Sequence, residues 1–357
     1  MGPDAPPIVP GAPSMHAASS PLVALLAPPA IIGPDSTGPA TRKDLPLDKL
    51  RNLLQSRFGA DRIEVAWIGG SATWAAAVPE VEPGIPAEDV LPLSGVETPW
   101  GALGRFRIVN IEGRPLIRIP VHGWRTAEGK FRPSPEASLR VFFVLRELGV
   151  RLVLVDASVG GITIGPGDIL IEDDLIDLVN KPYAHEFAQR LGLVPWLRLA
   201  QPYCPQIRER LRRAAYRLFA QGPAAYRPLS GTLHTEGAYV TTPFGIFESA
   251  LEIREYKREG GSVVGQSAGL ETMLARLCGM HLGHISVAAN WAEGQGSGAW
   301  SGEGDMAAFY WACTRPMARL CWDVVRSLVL EGVEAEGCAC ESIMQSTDLS
   351  GLPVPEA

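Results

Sequence analysis

The run from Ser134 to Asp177 constrains the fold more than any other part of the chain. Ser134-Pro135-Glu136 supplies an N-cap residue, a first-turn proline and a first-turn acid, which predicts a helix that Gly149 closes. Leu139, Phe142, Phe143 and Leu145 fall on one face of it and form its buried side. Directly afterwards comes RLVLVDASVGGITIGPGDILIEDDLID, from Arg151 to Asp177, read as a buried strand, a Gly-Gly turn, a Gly-Pro-Gly loop and a second apolar strand. A buried strand following a helix this closely predicts a mixed, largely parallel α/β sheet flanked by helices, a three-layer αβα arrangement. In such sheets the carboxyl ends of the strands face the ligand crevice, where exposed backbone N–H groups meet phosphate or sugar oxygens.

The same rhythm extends both ways. Leu47, Leu50, Leu53 and Leu54 predict a helix from Asp44 or Leu45 through Arg57, followed by a strand from Ile63 to Ile68 that ends in Gly69-Gly70-Ser71. Arg105 to Val121 alternates around Glu112-Gly113 as a hairpin and delivers His122-Gly123 at its far end. A basic helix is expected across PQIRERLRRAAYRLF, with its arginines on a solvated face. Strands are expected at Gly231 to Glu236, Ser262 to Gln266 and His284 to Asn290, with helices at Glu248 to Glu259 and Leu270 to Cys278. The final helix, Asp305 to Glu331, contains Pro316 and is expected to kink or divide there.

Pro, Ala, Gly and Ser dominate residues 1–41 without any sustained period, which predicts a disordered arm. Residues 42–332 are expected to form one catalytic domain, and 333–357 a tail. Leu22 to Ile32 is apolar, but it lacks a preceding basic residue and is broken by prolines, so neither a signal peptide nor a membrane span is expected. A net charge of -7 in 357 residues gives no general attraction for nucleic acid or an anionic membrane. Any anionic ligand must therefore be held by local groups. The six cysteines (Cys204, Cys278, Cys313, Cys321, Cys338 and Cys340) show no CxxC pair and no histidine in zinc-ligand spacing, so free thiols in a cytoplasmic protein are expected and no metal site.

Four predicted strand ends finish in small or polar residues: Gly69-Gly70-Ser71, Asp156-Ala157-Ser158, Gln266-Ser267-Ala268 and Asn290. Ser71, Ser158 and Ser267 with His122 have the donors to surround an oxyanion, although a serine in such a place also serves as an ordinary turn or cap residue. No GxSxG elbow, Walker loop or HExxH is present, which leaves serine-hydrolase, P-loop and zincin chemistry without support.

The motifs in their order resemble the trimeric purine nucleoside phosphorylase and methylthioadenosine phosphorylase family, from Ile63 to Asn290. They are IGGSA, VETPWG (Val96 to Gly101), the HG pair, DASVGGITIGPGDILIEDDLID, PYCP (Pro202 to Pro205), GTLHTEG (Gly231 to Gly237), FESALEIR (Phe247 to Arg254) and VVGQSAGLE (Val263 to Glu271). The resemblance implies phosphorolysis of the N-glycosidic bond of a purine or modified purine nucleoside, giving free base and ribose 1-phosphate or a 5-modified analogue. It implies no cofactor, inorganic phosphate as co-substrate, and a homotrimer in which a neighbour completes each site. By motif position, Ser71, His122, Ala157, Ser158 and Ser267 match phosphate contacts, while Phe247 and Glu248 match the purine-stacking aromatic and the purine-binding glutamate. Asn290 falls where the family carries Asn or Asp against the N7 and 6-position edge; Asn accompanies 6-oxopurines there. His122, Glu248 and Asn290 are thus the implied catalytic residues.

Three departures stand out. The arginine expected one or two residues before His122 is replaced by Pro120 and Val121, which makes Arg125 or Arg132 the substitute phosphate anchor. Gln266 stands where the family has a methionine against the ribose, and AYVTTPFGI is inserted between Gly237 and Phe247 in the loop bordering the base. These departures leave two alternatives open: a nucleoside hydrolase on the same scaffold, and a nucleoside-binding protein without turnover.

Overall fold

The structure is a computed structural model and describes residues 45–76, 85–123, 135–193, 197–296, 303–334 and 336–340. The predicted arm at 1–41, Arg125 and Arg132 lie outside the described residues.

Helix α1 (Leu47–Phe58) buries Leu50 and Leu54, as their spacing predicts, and leads into β1 (Val65–Gly69). After β2 (Val90–Leu93), the hairpin of β3 (Phe106–Ile111) and β4 (Arg114–Ile119) turns on Glu112 and Gly113, both with positive φ, the geometry of a two-residue hairpin. A single 3-10 turn, Val121–Gly123, then carries His122. Helix α2 (Pro135–Glu147) precedes the central strand β5 (Leu152–Gly161), followed by β6 (Ile169–Leu170), β7 (Asp174–Asp177) and α3 (Lys181–Arg190). The basic helix is α4 (Pro205–Ala220), with the short α5 (Pro223–Tyr226) behind it. The remainder runs β8 (Leu233–His234), β9 (Ala238–Thr241), α6 (Ala250–Arg258), β10 (Gly261–Gly265), α7 (Ala268–Leu277), β11 (His281–Trp291) and α8 (Glu303–Glu331).

These strands form one mixed, mostly parallel sheet, β2-β3-β4-β1-β5-β10-β9-β7, with β11 beside β5 and β6, and β8 beside β6. Apolar layers cover both faces. One packs α4 and α8 against Trp67, Leu154 and Ile285; the other packs α1, α2, α3 and α7 against Ile68, Val153 and Leu282. Among the described residues no helix is long and apolar enough to cross a membrane.

Four sequence readings need correction. Gly160-Gly161 is no turn: β5 runs through it, pairing in parallel with β1 up to Asp156 and antiparallel with β10 from Gly160. A Cβ on Gly161 would lie 1.8 Å from the Ile164 carbonyl, so the glycine is required by close backbone approach. The insertion after Gly237 is only half loop, because Ala238 to Thr241 form β9 inside the sheet, parallel to both β7 and β10. The strand expected at Gly231 to Glu236 shrinks to Leu233 and His234. Helix α8 continues as one 29-residue element through Pro316 instead of dividing.

Candidate active site

Parallel pairing brings the carboxyl ends of β4, β1 and β5 to one edge of the sheet, with Ile68 beside Ile119 and Gly69 beside Asp156. There Ser71 and Ser158 meet: the Ser158 N–H donates to Ser71 Oγ at 2.8 Å. The turn at 70–74 must lie this close to β5, since a Cβ on Gly70 would stand 1.9 Å from the Asp156 carbonyl. Ser158 Oγ is itself buried and has no hydrogen-bond partner among the described residues. Ala157, buried between them in the chain, can contribute only through its backbone.

Three further predicted residues line one open cleft: His122, Gln266 and Ser267. Ser267 sits at the N-cap of α7 but makes no side-chain cap bond. The buried Tyr239 hydroxyl lies just ahead of it, 2.2 Å from where a Cβ on Gly265 would stand. The cleft is also lined by Phe244, Asn180, Ser138 and Glu271, none of which sequence reasoning singled out. Glu271 is buried, and burial pushes its carboxyl up to about 7, with Asp156 adding to the rise and His284 and Ser138 opposing it. A carboxylate among the apolar residues Ala268, Leu270, Met273 and Leu274 is the signal that marks it in retrospect.

Gln266 spans the cleft rim. Its Oε1 accepts from Gly245 N–H at 3.0 Å and its Nε2 donates to the Ile246 carbonyl at 3.0 Å, so the amide clamps the inserted loop. The two departures from the family pattern are therefore one device, a glutamine and the backbone it holds. Thr242 works beside it: its N–H donates to the Gly265 carbonyl and its hydroxyl to Glu248 Oε1, which fixes the half-buried carboxylate against β10. Phe247 is 68% exposed and does not line the cleft, whereas Phe244, three residues earlier, does. Asn290 is also outside the cleft lining; it lies at the end of β11 opposite Gly160, whose other edge faces Val264, and its Nδ2 donates to the Trp291 carbonyl at 2.8 Å.

The description of the phosphorylase superfamily matches residues 65–325. The chain belongs to that superfamily. Among its relatives are a probable 6-oxopurine nucleoside phosphorylase of Thermococcus kodakarensis, 30% identical over 56% of this chain and 72% of the relative, and a probable S-methyl-5'-thioinosine phosphorylase of Methanopyrus kandleri, 30% identical over 65% and 80%. In fold it is similar to methylthioadenosine phosphorylase from Schistosoma mansoni in complex with tubercidin, with a TM-score of 0.61, 19% identity and coverage of 82% of this chain and 100% of that one.

The arginine nearest before His122 does not line the cleft. Arg118 is buried under the turn, its Nη1 occupying the space a Gly69 side chain would need. Its guanidinium lies 3.8 Å from the Trp67 ring centroid, and Nη2 donates to the Thr73 carbonyl at 2.7 Å and hydroxyl oxygen at 3.0 Å. Asp156 Oδ2 closes the group by accepting from Trp67 Nε1 at 2.9 Å and Thr73 Oγ1 at 2.5 Å. Burial lowers Arg118 to about 10 against the pull of Asp156, and burial raises the Asp156 carboxyl against the pull of Arg118. This arginine braces the turn from beneath instead of facing the cleft. Far from the cleft, at the other end of β11, Cys204, His281, Cys338 and Cys340 come together.

Proposed function

We propose that the chain cleaves the N-glycosidic bond of a purine nucleoside by phosphorolysis, releasing free base and ribose 1-phosphate or its 5-modified analogue. The observation that carries this reading is the junction of Ser71, just after β1, with Ser158, where β5 passes beyond the end of β1, in a chain of the phosphorylase superfamily, with the Ser158 hydroxyl still lacking a partner among the described residues. Phosphate attack at C1′ proceeds through an oxocarbenium-like state, so the protein must hold an anion on one side of the sugar and accept charge growing on the base.

Ser71, Ser158, Ser267 and His122, with the backbone at Ala157, take the anion in this scheme. Glu248, oriented by Thr242, and Asn290 take the base. An amide at Asn290 can donate to N7 as the bond breaks and also serve a 6-oxo group. A 6-oxopurine is the base we infer, supported by Asn290 and by the names of the two relatives above. Arg125 is the inferred second phosphate anchor. We also infer a cytoplasmic homotrimer, which sedimentation at micromolar concentration tests.

Base release from inosine, guanosine, adenosine, methylthioadenosine and uridine, followed chromatographically with and without phosphate, tests the activity. Release that requires phosphate supports the proposal. Release without phosphate identifies a hydrolase, and binding without release a protein that has lost turnover.

A further inference from the structure

Three cysteines and a histidine that are separated by up to 136 positions in the chain, from Cys204 to Cys340, place their donor atoms within 4.8 Å of one another. Cys204 stands just before α4, pinned by its N–H to the Leu282 carbonyl at 2.7 Å. His281 opens β11, pinned by its N–H to the Arg151 carbonyl at 2.7 Å. After α8 the chain doubles back to the start of α4. Gln206 holds it there through Nε2 to the Glu334 carbonyl and Oε1 to the Glu334 N–H, both at 2.8 Å, and so delivers Cys338 and Cys340 to the cluster.

The geometry is that of a metal cage. Cys204 Sγ lies 3.6 Å and Cys338 Sγ 3.4 Å from the same atom, His281 Nδ1. In a tetrahedron with zinc–sulfur and zinc–nitrogen bonds of about 2.3 and 2.0 Å, a sulfur and a nitrogen ligand are about 3.5 Å apart. Cys204, Cys340 and His281 are buried and Cys338 is half-buried, so all four directions around a central ion are closed by protein.

A second observation points the same way. Arg276, at the end of α7, is 1% exposed, and none of its three guanidinium nitrogens meets a conventional hydrogen-bond partner among the described residues. It lies against Cys340. A buried guanidinium without a carboxylate is costly unless a neighbouring group carries compensating negative charge. Three thiolates and a neutral imidazole around a divalent ion leave one net negative charge, which Arg276 balances.

We propose that Cys204, His281 through Nδ1, Cys338 and Cys340 bind one structural zinc ion, with Arg276 as the charge-balancing neighbour. The ligand set is closed and sulfur-rich, so it selects zinc over calcium or magnesium and leaves no open position for catalysis. The ion ties the segment after α8 to the starts of α4 and β11. Zinc binding displaces the thiol protons to solvent, and no oxidant takes part.

The full chain, purified with reductant and zinc and then dialysed, should retain about one zinc per chain by mass spectrometric metal analysis. Cobalt in its place should give the intense visible bands of a tetrahedral thiolate site. Cys338→Ser, at the half-buried ligand, should weaken zinc binding more than about 100-fold, whereas Arg276→Gln should weaken it about 10–100-fold, the range for an outer-shell partner. Far-ultraviolet circular dichroism confirms that each variant is folded, and the wild-type metal content decides the matter alone if one is not. Substoichiometric zinc, an octahedral cobalt spectrum, or a mass two hydrogens short that marks a disulfide within the cluster would overturn the proposal.

Discussion

The Ser71 turn and the loop that closes over the cleft are built in opposite ways. The turn carrying Ser71 rests on buried groups: Arg118, Trp67, Thr73 and Asp156 brace it from below, and Gly70 lies against the β5 backbone. The loop carrying Phe244 and Phe247 stands outside the sheet, with Ile246 72% exposed, and is clamped by the Gln266 amide. An anion site needs fixed donors, and fixed donors need a packed support. A site for a variable base or sugar tolerates change when its walls are held by a few replaceable bonds. Two of the three departures expected from the family resemblance, Gln266 and the loop it holds, fall on the clamped side.

Breaking the braced side should have the largest effect. Arg118→Met removes the buried cation that offsets the charge of Asp156 and holds Thr73, and should cost about 3–5 kcal/mol of stability in urea unfolding. A loss below about 1 kcal/mol would show that the turn stands without its brace. His122→Ala should leave stability nearly unchanged and lower turnover about 10²–10³-fold, as loss of one preorganised donor in a transition state does. Equal rates in both proteins would remove His122 from the anion side.

Glu271 sharpens the contrast through pH. Its carboxyl is raised from 4.5 to about 7 by burial, so the folded state favours the protonated form. Its contribution is complete below the unfolded value and is lost as pH rises through about 7, an effect of at most about 3 kcal/mol. Glu271→Gln should flatten the stability profile between about pH 5 and pH 8; an unaltered slope would assign it to other groups. Gln266→Met should have the smallest effect on stability, about 1 kcal/mol or less, because its hydrogen bonds are exposed to water. It should instead raise the nucleoside KM and speed proteolysis within residues 243–247. Unchanged proteolysis would mean that the clamp is incidental.

What the sequence made legible follows from how each part is assembled. Helix spacing, the Glu112-Gly113 hairpin and the strand ends could be read because each depends on neighbours a few residues apart. The Ser71–Ser158 junction was legible from the parallel sheet, although only β1 ends there while β5 runs on to Gly161. Arg118 was not, because β4 is covered on both faces and its arginine sits in a strand that reads as simple alternation. Phe244 was missed in favour of Phe247 because the choice depends on a clamp formed by a residue twenty positions away. The thiol cluster was invisible for the same reason: its spacing is set by the approach of α4, β11 and the segment after α8, and the cysteines looked scattered along the chain.

Strand β5 touches β1 and β11 on opposite edges and takes up β10 where β1 leaves off. Ser71, Gln266 and Ser267 therefore follow, and Asn290 lies within, strands that are each measured from one common datum. A change in a neighbouring strand moves its own residue relative to that datum, while a change in β5 moves the datum for all of them at once. Mutational latitude across the site should accordingly be steepest in residues 156–161 and shallow in the loops that hang from the other strands.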